Sequence, residues 1–287
     1  MLYDPSTWKD LETQHIAAAE ERTRDHVARR DRGQKHPVYD FLFEYYPLRP
    51  SHLARWHPGL GNALADAASS KQAGWRDYLV DPHGVVKADV AGFVARRGQS
   101  FVFIRSLLEG SRLNPALFDC FGLHEWAMVY RGGKRHELPL RLSQEETDDV
   151  VETHKIKCTH FDAYRFFQPP AKPLNLTVLT REDQPRNDQA GCLHVTMDLY
   201  KWAFKLGPLV PGDLLLNAFD LTWDARILDM EASPYDCRDL GVGVVAIETP
   251  EGKAEYVRRQ RALADRAEPV RRRLLAILDE ALSPTKV

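Results

Sequence analysis

The chain has 287 residues, of which 44% are hydrophobic and 28% are charged, and its formal net charge is -2. This composition supports a large buried core, and the near-neutral charge excludes a protein whose surface is basic throughout, as in a dedicated nucleic-acid coating protein. No run of about 18 apolar residues occurs and the N-terminus lacks the features of a signal peptide, so we expect a cytoplasmic protein that does not cross a membrane.

The N-terminal third is predicted to be helical. Thr7–Asp10 has the pattern of a capping box and precedes a long polar helix. The aromatic segment from His36 to Pro47 is bounded by prolines and predicts a short buried helix.

A loop rich in arginine, histidine and tryptophan follows, with Arg49, His52, Trp56 and His57 close together in sequence. Such a loop can bind a phosphate or a planar base, although packed loop aromatics are the commoner outcome.

The next segments predict a hairpin and then helices. Asp81–Gly84 is a turn that could join two short strands, and residues 89–97 and 99–108 have helical periodicity. A further helix is predicted over Pro115–Arg131, with His124 on its apolar face and Glu125 beside it. A lone inward histidine is more often a core residue than a base or ligand. A functional role for His124 is better supported because other histidines with apolar neighbours follow in the chain.

The stretch Val151–Pro170 combines acid/base groups with aromatic residues, which is typical of a functional site. A helix begins after the capping box at Ser143 and is expected to end near Lys157, shortly before His160 and Asp162. The spacing of these groups does not form the HExxH zinc motif, so a metal site would collect ligands from separate elements.

The C-terminal half begins with a proline-rich crossing loop around residues 168–190. Helices are then predicted over His194–Leu206 and Gly212–Glu231, and Gly241–Ile247 has the strongest strand pattern in the chain. A last helix starts at Pro250 after Thr249 and runs to about Leu282.

That last helix carries an excess of basic residues over Lys253–Arg273, which makes it a candidate phosphate-facing surface. Taken together, these elements predict a mainly α protein: one compact helical domain over residues 1–287 with a minor β-hairpin or small sheet.

Four phrases support a family resemblance: HPVYDFLFEYYPLRPSHLARWHPG, CFGLHEWAMVYR, THFDAYRFF and CLHVTMDLYKWAFKLGPLVP. They resemble those of actinobacterial proteins of the 3-methyladenine DNA glycosylase family, and the likeness spans most of the chain. The resemblance implies hydrolysis of an N-glycosidic bond, with a partner that contains a nucleobase, either DNA or a nucleoside or nucleotide, and with no cofactor.

In that hypothesis Asp162 or Glu125 orients the water, with His160 and His124 as further candidate catalytic residues. The candidate substrate-binding residues carry rings that can stack on a base or groups that can bind an anion: Tyr164, Phe166, Trp126, Arg165, His194 and Lys201.

Two alternatives stay open. His124, His160 and His194 with Asp162 or Glu125 could hold iron or zinc in a metal-dependent oxidoreductase or hydrolase. A small-molecule binding module without chemistry is the third possibility. Both enzyme hypotheses predict that His124, Glu125, His160 and Asp162 converge in one partly buried pocket.

Overall fold

The computed structural model describes residues 1–46, 48–133 and 136–283. The predicted mainly α fold with a small sheet is confirmed. The helices in the described residues are α1 (Pro5–Asp31), α2 (Phe41–Glu44), α3 (Pro50–Leu53), α4 (Val90–Leu113), α5 (Leu123–Ala127), α6 (Gln144–Thr153), α7 (Phe161–Tyr164), α8 (Gln184–Asn187), α9 (Leu193–Lys205), α10 (Gly212–Glu231) and α11 (Pro250–Leu282). The strands are β1 (Leu2–Tyr3), β2 (Ala63–Leu64), β3 (Tyr78–Val80) and β4 (Val86–Ala88). No helix in these three ranges is long and apolar enough to cross a membrane.

The described chain forms two compact units. Unit 1 comprises Met1–Ser106, Leu199–Asp220 and the described residues of Val270–Val287, and unit 2 comprises Leu107–Asp198 and Leu221–Pro269. The single domain expected over residues 1–287 stays a prediction.

Unit 1 contains the sheet, whose strand order is β1-β2-β4-β3. The predicted hairpin is confirmed: β3 and β4 pair antiparallel, and the Asp81 carboxylate accepts hydrogen bonds from the backbone N–H groups of His83 and Val85 across the turn. The sheet contributes to a core that also includes aromatic residues of α1 and of the loop after α3. This core consists of Trp8, Trp56, Leu64, Ala67, Tyr78 and Val86.

The helix boundaries of unit 1 differ from the predictions in two places. The cap of α1 is Asp4, which accepts hydrogen bonds from the N–H groups of Ser6 and Thr7, so the capping box predicted at Thr7 is wrong. The short helix expected within residues 36–47 is α2, and Pro47 lies outside the described residues. The two helices predicted over residues 89–108 form the single helix α4.

In unit 2 the helix predicted over Pro115–Arg131 is reduced to the five residues of α5. Phe121 (φ 47°) and Gly122 (φ 70°) adopt left-handed conformations immediately before it, and Arg131 (φ 54°) does so after it, which interrupts a right-handed helix. The predicted capping box of α6 is confirmed, because Ser143 and Glu146 cap each other. That helix ends at Thr153, four residues before the predicted end.

The predicted strand Gly241–Ile247 is wrong. Val242, Val245 and Ile247 are buried, but the segment makes no strand pairing in the described residues. Its observed backbone contact is to a helix end, where the Val245 N–H donates to the carbonyl of Glu231 at 2.7 Å. The proline-rich stretch 168–190 is mostly irregular, as predicted, with a short 3-10 turn over Lys172–Leu174 and the single turn of α8.

Candidate metal centre

Helix α5 delivers the first site residue, and every residue of this helix is buried. The left-handed Gly122 sets its start, where a β-carbon would contact Ala232 and Tyr256. His124 and Glu125 therefore enter the interior of unit 2 side by side, as two ionisable groups on a short and fixed helix.

Helix α10 carries Asp229, the partner of His124, and this carboxylate was not predicted from the sequence. Nε2 of His124 lies 2.9 Å from Oδ1 of Asp229, whose side chain is 0% exposed. Both atoms are buried, and within the described residues neither has a hydrogen-bond partner with favourable geometry. Such an approach of a ring nitrogen and a carboxylate oxygen suits two groups that share a cation.

Arg226 lies one turn before Asp229 on α10 and completes a buried charge network. Its Nη1 is 2.9 Å from Oδ2 of Asp229 and 3.3 Å from Oε1 of Glu125. Glu125 is thus held by an arginine, and it is not among the side chains that form the candidate metal ligands.

The pKa shifts in this network have physical causes. Burial alone would raise the pKa of Asp229, but His124 and Arg226 hold it well below its usual value. Burial alone would lower the pKa of His124, but Asp229 outweighs burial and raises it.

Helix α9 brings two further groups. Its first turn carries His194, and Asp198 follows at i+4 on the same face. Burial, and then the neighbouring His124, lower the pKa of His194 well below its usual value, so its ring is neutral and can serve as a metal ligand. The ring centroid of His194 lies 4.5 Å from that of His124 and 5.3 Å from that of His160, with which it stacks.

His160 precedes α7 and is 1% exposed. Its Nδ1 lies 3.1 Å from Oδ1 of Asp188, whose other oxygen accepts from Gln184 at 3.0 Å. Its Nε2 lies 3.8 Å from Oδ2 of Asp198. A histidine that binds a metal through one nitrogen commonly donates its other N–H to a carboxylate, and Asp188 is placed for that role.

Asp162, in the first turn of α7, extends this arrangement toward the surface. Its Oδ1 pairs with Arg181 at 2.9 Å and with Arg165 at 3.4 Å, and both arginines are about half exposed. The cap of α7 is His160, with no side-chain capping bond, so the structure does not place Asp162 as a helix cap.

Together these side chains form two adjoining groups, in each of which one potential ligand atom per residue lies within 4.8 Å of the others. We call them the His194 group and the His160 group. Ligand atoms that share one zinc ion lie about 3–4 Å apart, so small side-chain rotations would close either group on an ion. The His194 group consists of His124, His194 and Asp229, and the His160 group of His160, Asp162 and Asp198.

A cavity of about 10 Å³ touches His124 and His194. This volume is that of about one water molecule. Cys120, Cys158 and Cys192 contribute to its wall, and burial raises the pKa of Cys158 to about 12, so that thiol stays protonated at neutral pH.

All five predicted catalytic and metal-binding residues lie buried in unit 2, namely His124, Glu125, His160, Asp162 and His194. Sequence reasoning missed Asp229, Asp198 and Asp188. For Asp198 a signal exists, because its i,i+4 spacing from His194 places both on one face of α9. Asp229 gave no such signal, because it follows Arg226 at i+3 on a helix whose buried face was expected to be apolar.

The predicted substrate-binding residues are dispersed. Trp126 is 0% exposed and donates its Nε1–H to the carbonyl of Ala232, which places it in the core of unit 2 instead of on a binding surface. Tyr164 is also buried and packs on Phe167. The guanidinium carbon of Arg165 lies over the ring of Phe166, 4.4 Å from the centroid of that ring. Lys201 belongs to unit 1 and lines a separate cavity there.

Comparisons with protein-family models, with curated proteins and with solved structures found no match to this chain.

Proposed function

We propose that this protein is a metal-dependent hydrolase whose centre lies in unit 2. The observation that carries this proposal is the pair of adjoining groups, which gather three histidines and three aspartates in a buried interior. Histidine and carboxylate ligands together suit zinc, iron and manganese.

The energetic cost of this arrangement supports a functional role. Buried charge networks seldom increase stability over well-packed apolar residues, because each ion loses its hydration. A cluster of buried ionisable groups with shifted pKa values is therefore more typical of a functional site than of a core.

Hydrolysis is favoured over redox chemistry because two adjoining ligand groups suit a pair of ions. Two-metal sites hold the attacking and the leaving oxygen of a displacement and lower the pKa of a bound water. In this role His160, Asp162 and Asp198 would hold one ion, and His124, His194 and Asp229 would hold the other. Asp188 would orient the ring of His160.

The glycosylase activity implied by the resemblance stays a prediction. It requires room for a base next to Asp162 or Glu125. Glu125, one of the two candidate residues for orienting the water, is engaged by the buried Arg226, which favours the metal-dependent hypothesis.

Metal analysis tests the proposal. Protein purified without chelator should contain zinc, manganese or iron, and adding the ion to apoprotein should raise the melting temperature, since a ligand at about 100 times its Kd stabilises a fold by about 2.7 kcal/mol. His194→Gln should lower metal content by the equivalent held in the His194 group and should reduce the stabilisation. His15→Gln is the matched control, because His15 is another buried histidine, in unit 1, that bonds to the carbonyl of Leu53.

Three outcomes would overturn the proposal. The first is that the parent protein binds none of the three ions. The second is that His194→Gln and His15→Gln lose equal amounts of metal and of thermal stabilisation. The third is that the protein contains iron with the absorption spectrum of a redox centre and hydrolyses neither ester nor amide substrates.

A further inference from the structure

Helix α11 carries a tyrosine, Tyr256, whose side chain enters the interior of unit 2. The residue is 0% exposed. Its hydroxyl has no hydrogen-bond partner of suitable geometry within the described residues. A buried hydroxyl without a partner is unfavourable, and phenylalanine would fill the same space without that cost. A tyrosine at this position therefore suits a role in which its hydroxyl binds a polar group.

The ring of Tyr256 packs on the turn that precedes His124. It meets the ring of Phe121 edge-on, with centroids 6.2 Å apart, and a β-carbon at Gly122 would lie 3.6 Å from it. Phe121 and Gly122 are the left-handed residues before α5, the helix that carries His124. The position of Tyr256 is thus fixed relative to the first histidine of the His194 group.

The same face of α11 is also tied to the start of α9. Gln260, one turn after Tyr256, is 0% exposed, and its Nε2 donates to the carbonyl of Gly191 at 2.6 Å. Gly191 lies two residues before the start of α9, which carries His194. This contact holds the Tyr256 side of α11 next to the second histidine of the group.

Tyr256 and both histidines line one small space. The cavity of about 10 Å³ that touches His124 and His194 has Tyr256 in its wall, and Thr159 contributes a second hydroxyl. A buried water molecule needs a space of this size and about two to four polar partners, which such a wall can provide. The cavity is therefore suited to a single water that contacts a histidine of the group and the phenol.

The number of ligands in the His194 group also indicates a bound water. A catalytic zinc ion commonly has three protein ligands and a water in the fourth position. This group supplies three ligands, which are His124, His194 and Asp229. Since the cavity lies beside the two histidines, a water within it is placed to be the fourth ligand.

The phenol can act as a hydrogen-bond donor to that water. Burial, and then the nearby Cys120 thiol, raise the pKa of Tyr256 well above its usual value, so the hydroxyl keeps its proton at neutral pH. A donor stabilises hydroxide more than neutral water, because a hydrogen bond to a charged oxygen is the stronger one. The contact would therefore lower the pKa of the water that receives it.

We propose that the Tyr256 hydroxyl donates a hydrogen bond to the water that completes the coordination of the ion in the His194 group. This inference rests on the proposed function and adds to it the residue that orients the attacking water. Ionisation of that water leaves a hydroxide on the ion and releases a proton to the solvent, and the hydrogen bond favours the hydroxide. A tyrosine that only packs in the core would not affect this equilibrium.

Cobalt(II) loaded into the metal-free, full-length protein tests this inference, because the visible absorption of the ion changes when a bound water ionises. The parent protein should show such a spectral transition with pH. Tyr256→Phe keeps the ring and removes only the hydroxyl, so its transition should move to higher pH by about one unit. Its cobalt content should equal that of the parent, since Tyr256 is not among the candidate ligands.

The matched control is Tyr164→Phe. Tyr164 is another buried tyrosine of unit 2, which packs on Phe167 and does not line the cavity. This variant should keep the transition of the parent. Circular dichroism and the melting temperature of both variants establish that the fold is intact.

An unchanged transition in Tyr256→Phe would overturn the inference. So would equal shifts in the two variants, or loss of cobalt from Tyr256→Phe alone. Parent protein that binds cobalt without any transition would overturn it as well, while the metal site of the proposed function would stand. Parent protein that binds no cobalt would overturn the hydrolase proposal together with this inference, so the two failures are distinguishable.

Discussion

A buried carboxylate can be a metal ligand or half of an ion pair, and its partners help to separate the two roles. Asp229 faces the imidazole of His124 and a fully buried guanidinium, so removing its charge would take away one of the carboxylates that compensate the buried Arg226, at a cost of about 3–5 kcal/mol. Asp162 pairs instead with half-exposed arginines, which can turn to solvent when the carboxylate is lost. Asp162 is therefore the better residue for testing ligand function without unfolding the protein.

We expect Asp162→Asn to lower metal content by the equivalent held in the His160 group while the His194 group keeps its ion. Its free energy of unfolding should fall by only about 1 kcal/mol, because partly exposed ion pairs contribute little. Asp183→Asn is the matched control, since Asp183 also pairs with an arginine at the surface, Arg186. Elemental analysis and urea unfolding of both variants check the prediction, and unchanged metal content and activity in Asp162→Asn would assign Asp162 a structural role.

His57 predicts a pH dependence in unit 1. Its pKa of about 4 lies below its ordinary value because burial, and then Arg55, disfavour the charged ring. Below about pH 6.5 the unfolded chain gains a proton that the folded chain does not, so His57 lowers the free energy of unfolding by up to about 3 kcal/mol as the pH falls toward 4. Above pH 6.5 both states are neutral and His57 has no effect.

Urea unfolding at pH 6.5 and 4.5 measures this effect. The loss of stability between the two values should be smaller in His57→Gln than in the parent, whereas His83→Gln, which changes an exposed histidine in the hairpin turn, should match the parent. Identical losses in all three proteins would contradict the prediction.

Among individual residues, the histidines of the candidate site could be predicted from the sequence better than its carboxylates. His124, His160 and His194 were selected because several histidines with apolar neighbours are unusual. Aspartates occur throughout the chain, and the burial of Asp229 depends on Arg226 and His124, which only the fold brings to it.

Among the elements, helices with local signals were predicted best. The bounds of α10 match the prediction, and Pro250 starts α11 as expected, because caps and prolines act within a few residues. The strand predicted at Gly241–Ile247 failed because a strand requires a partner, which is a non-local condition. Three of its apolar side chains are buried, so the segment's hydrophobic pattern reflects packing alone.

The start of α9 depends on a glycine. A β-carbon at Gly191 would lie 2.2 Å from the carbonyl oxygen of Leu117, and the Gly191 carbonyl accepts a hydrogen bond from Gln260 at 2.6 Å. Any side chain there must displace either Leu117 or the residues that lead into α9, the helix that carries His194.

We therefore expect Gly191→Ala to destabilise the protein by about 1–3 kcal/mol and to weaken metal binding. Gly98→Ala is the control: Gly98 lies inside α4 with no close neighbour, and alanine there should stabilise by about 0.5–1 kcal/mol. Urea midpoints and metal titrations provide the measurements. Equal stability of Gly191→Ala and the parent would show that the loop before α9 can move.

For the molecule as a whole, charge pairing weakens the case for DNA binding. The basic excess over Lys253–Arg273 predicted a phosphate-facing surface, but several of these side chains are already engaged inside the unit to which they belong. The ion pairs are Arg258 with Glu255, Arg259 with Glu231, Arg266 with Asp224 and Arg273 with Asp213, and Arg261 lies over the ring of Phe118.

We expect weak binding of duplex DNA with a shallow salt dependence, because each phosphate contact adds only about -0.9 to the slope of log K against log salt. Fluorescence anisotropy of a labelled duplex at several salt concentrations measures that slope. A steep slope with tight binding at low salt would restore the surface of α11 as a DNA-binding face.

The buried thiols beside His124 also have a kinetic consequence. A disulfide reagent can reach Cys158 or Cys192 only when the wall of the small cavity separates, since both side chains are buried and the space holds about one water. In a Cys120→Ser/Cys237→Ser background, which leaves these two thiols as the only cysteines, the rate of their modification at saturating reagent equals the frequency of opening. For any substrate that enters by this route, that frequency is the upper limit of turnover.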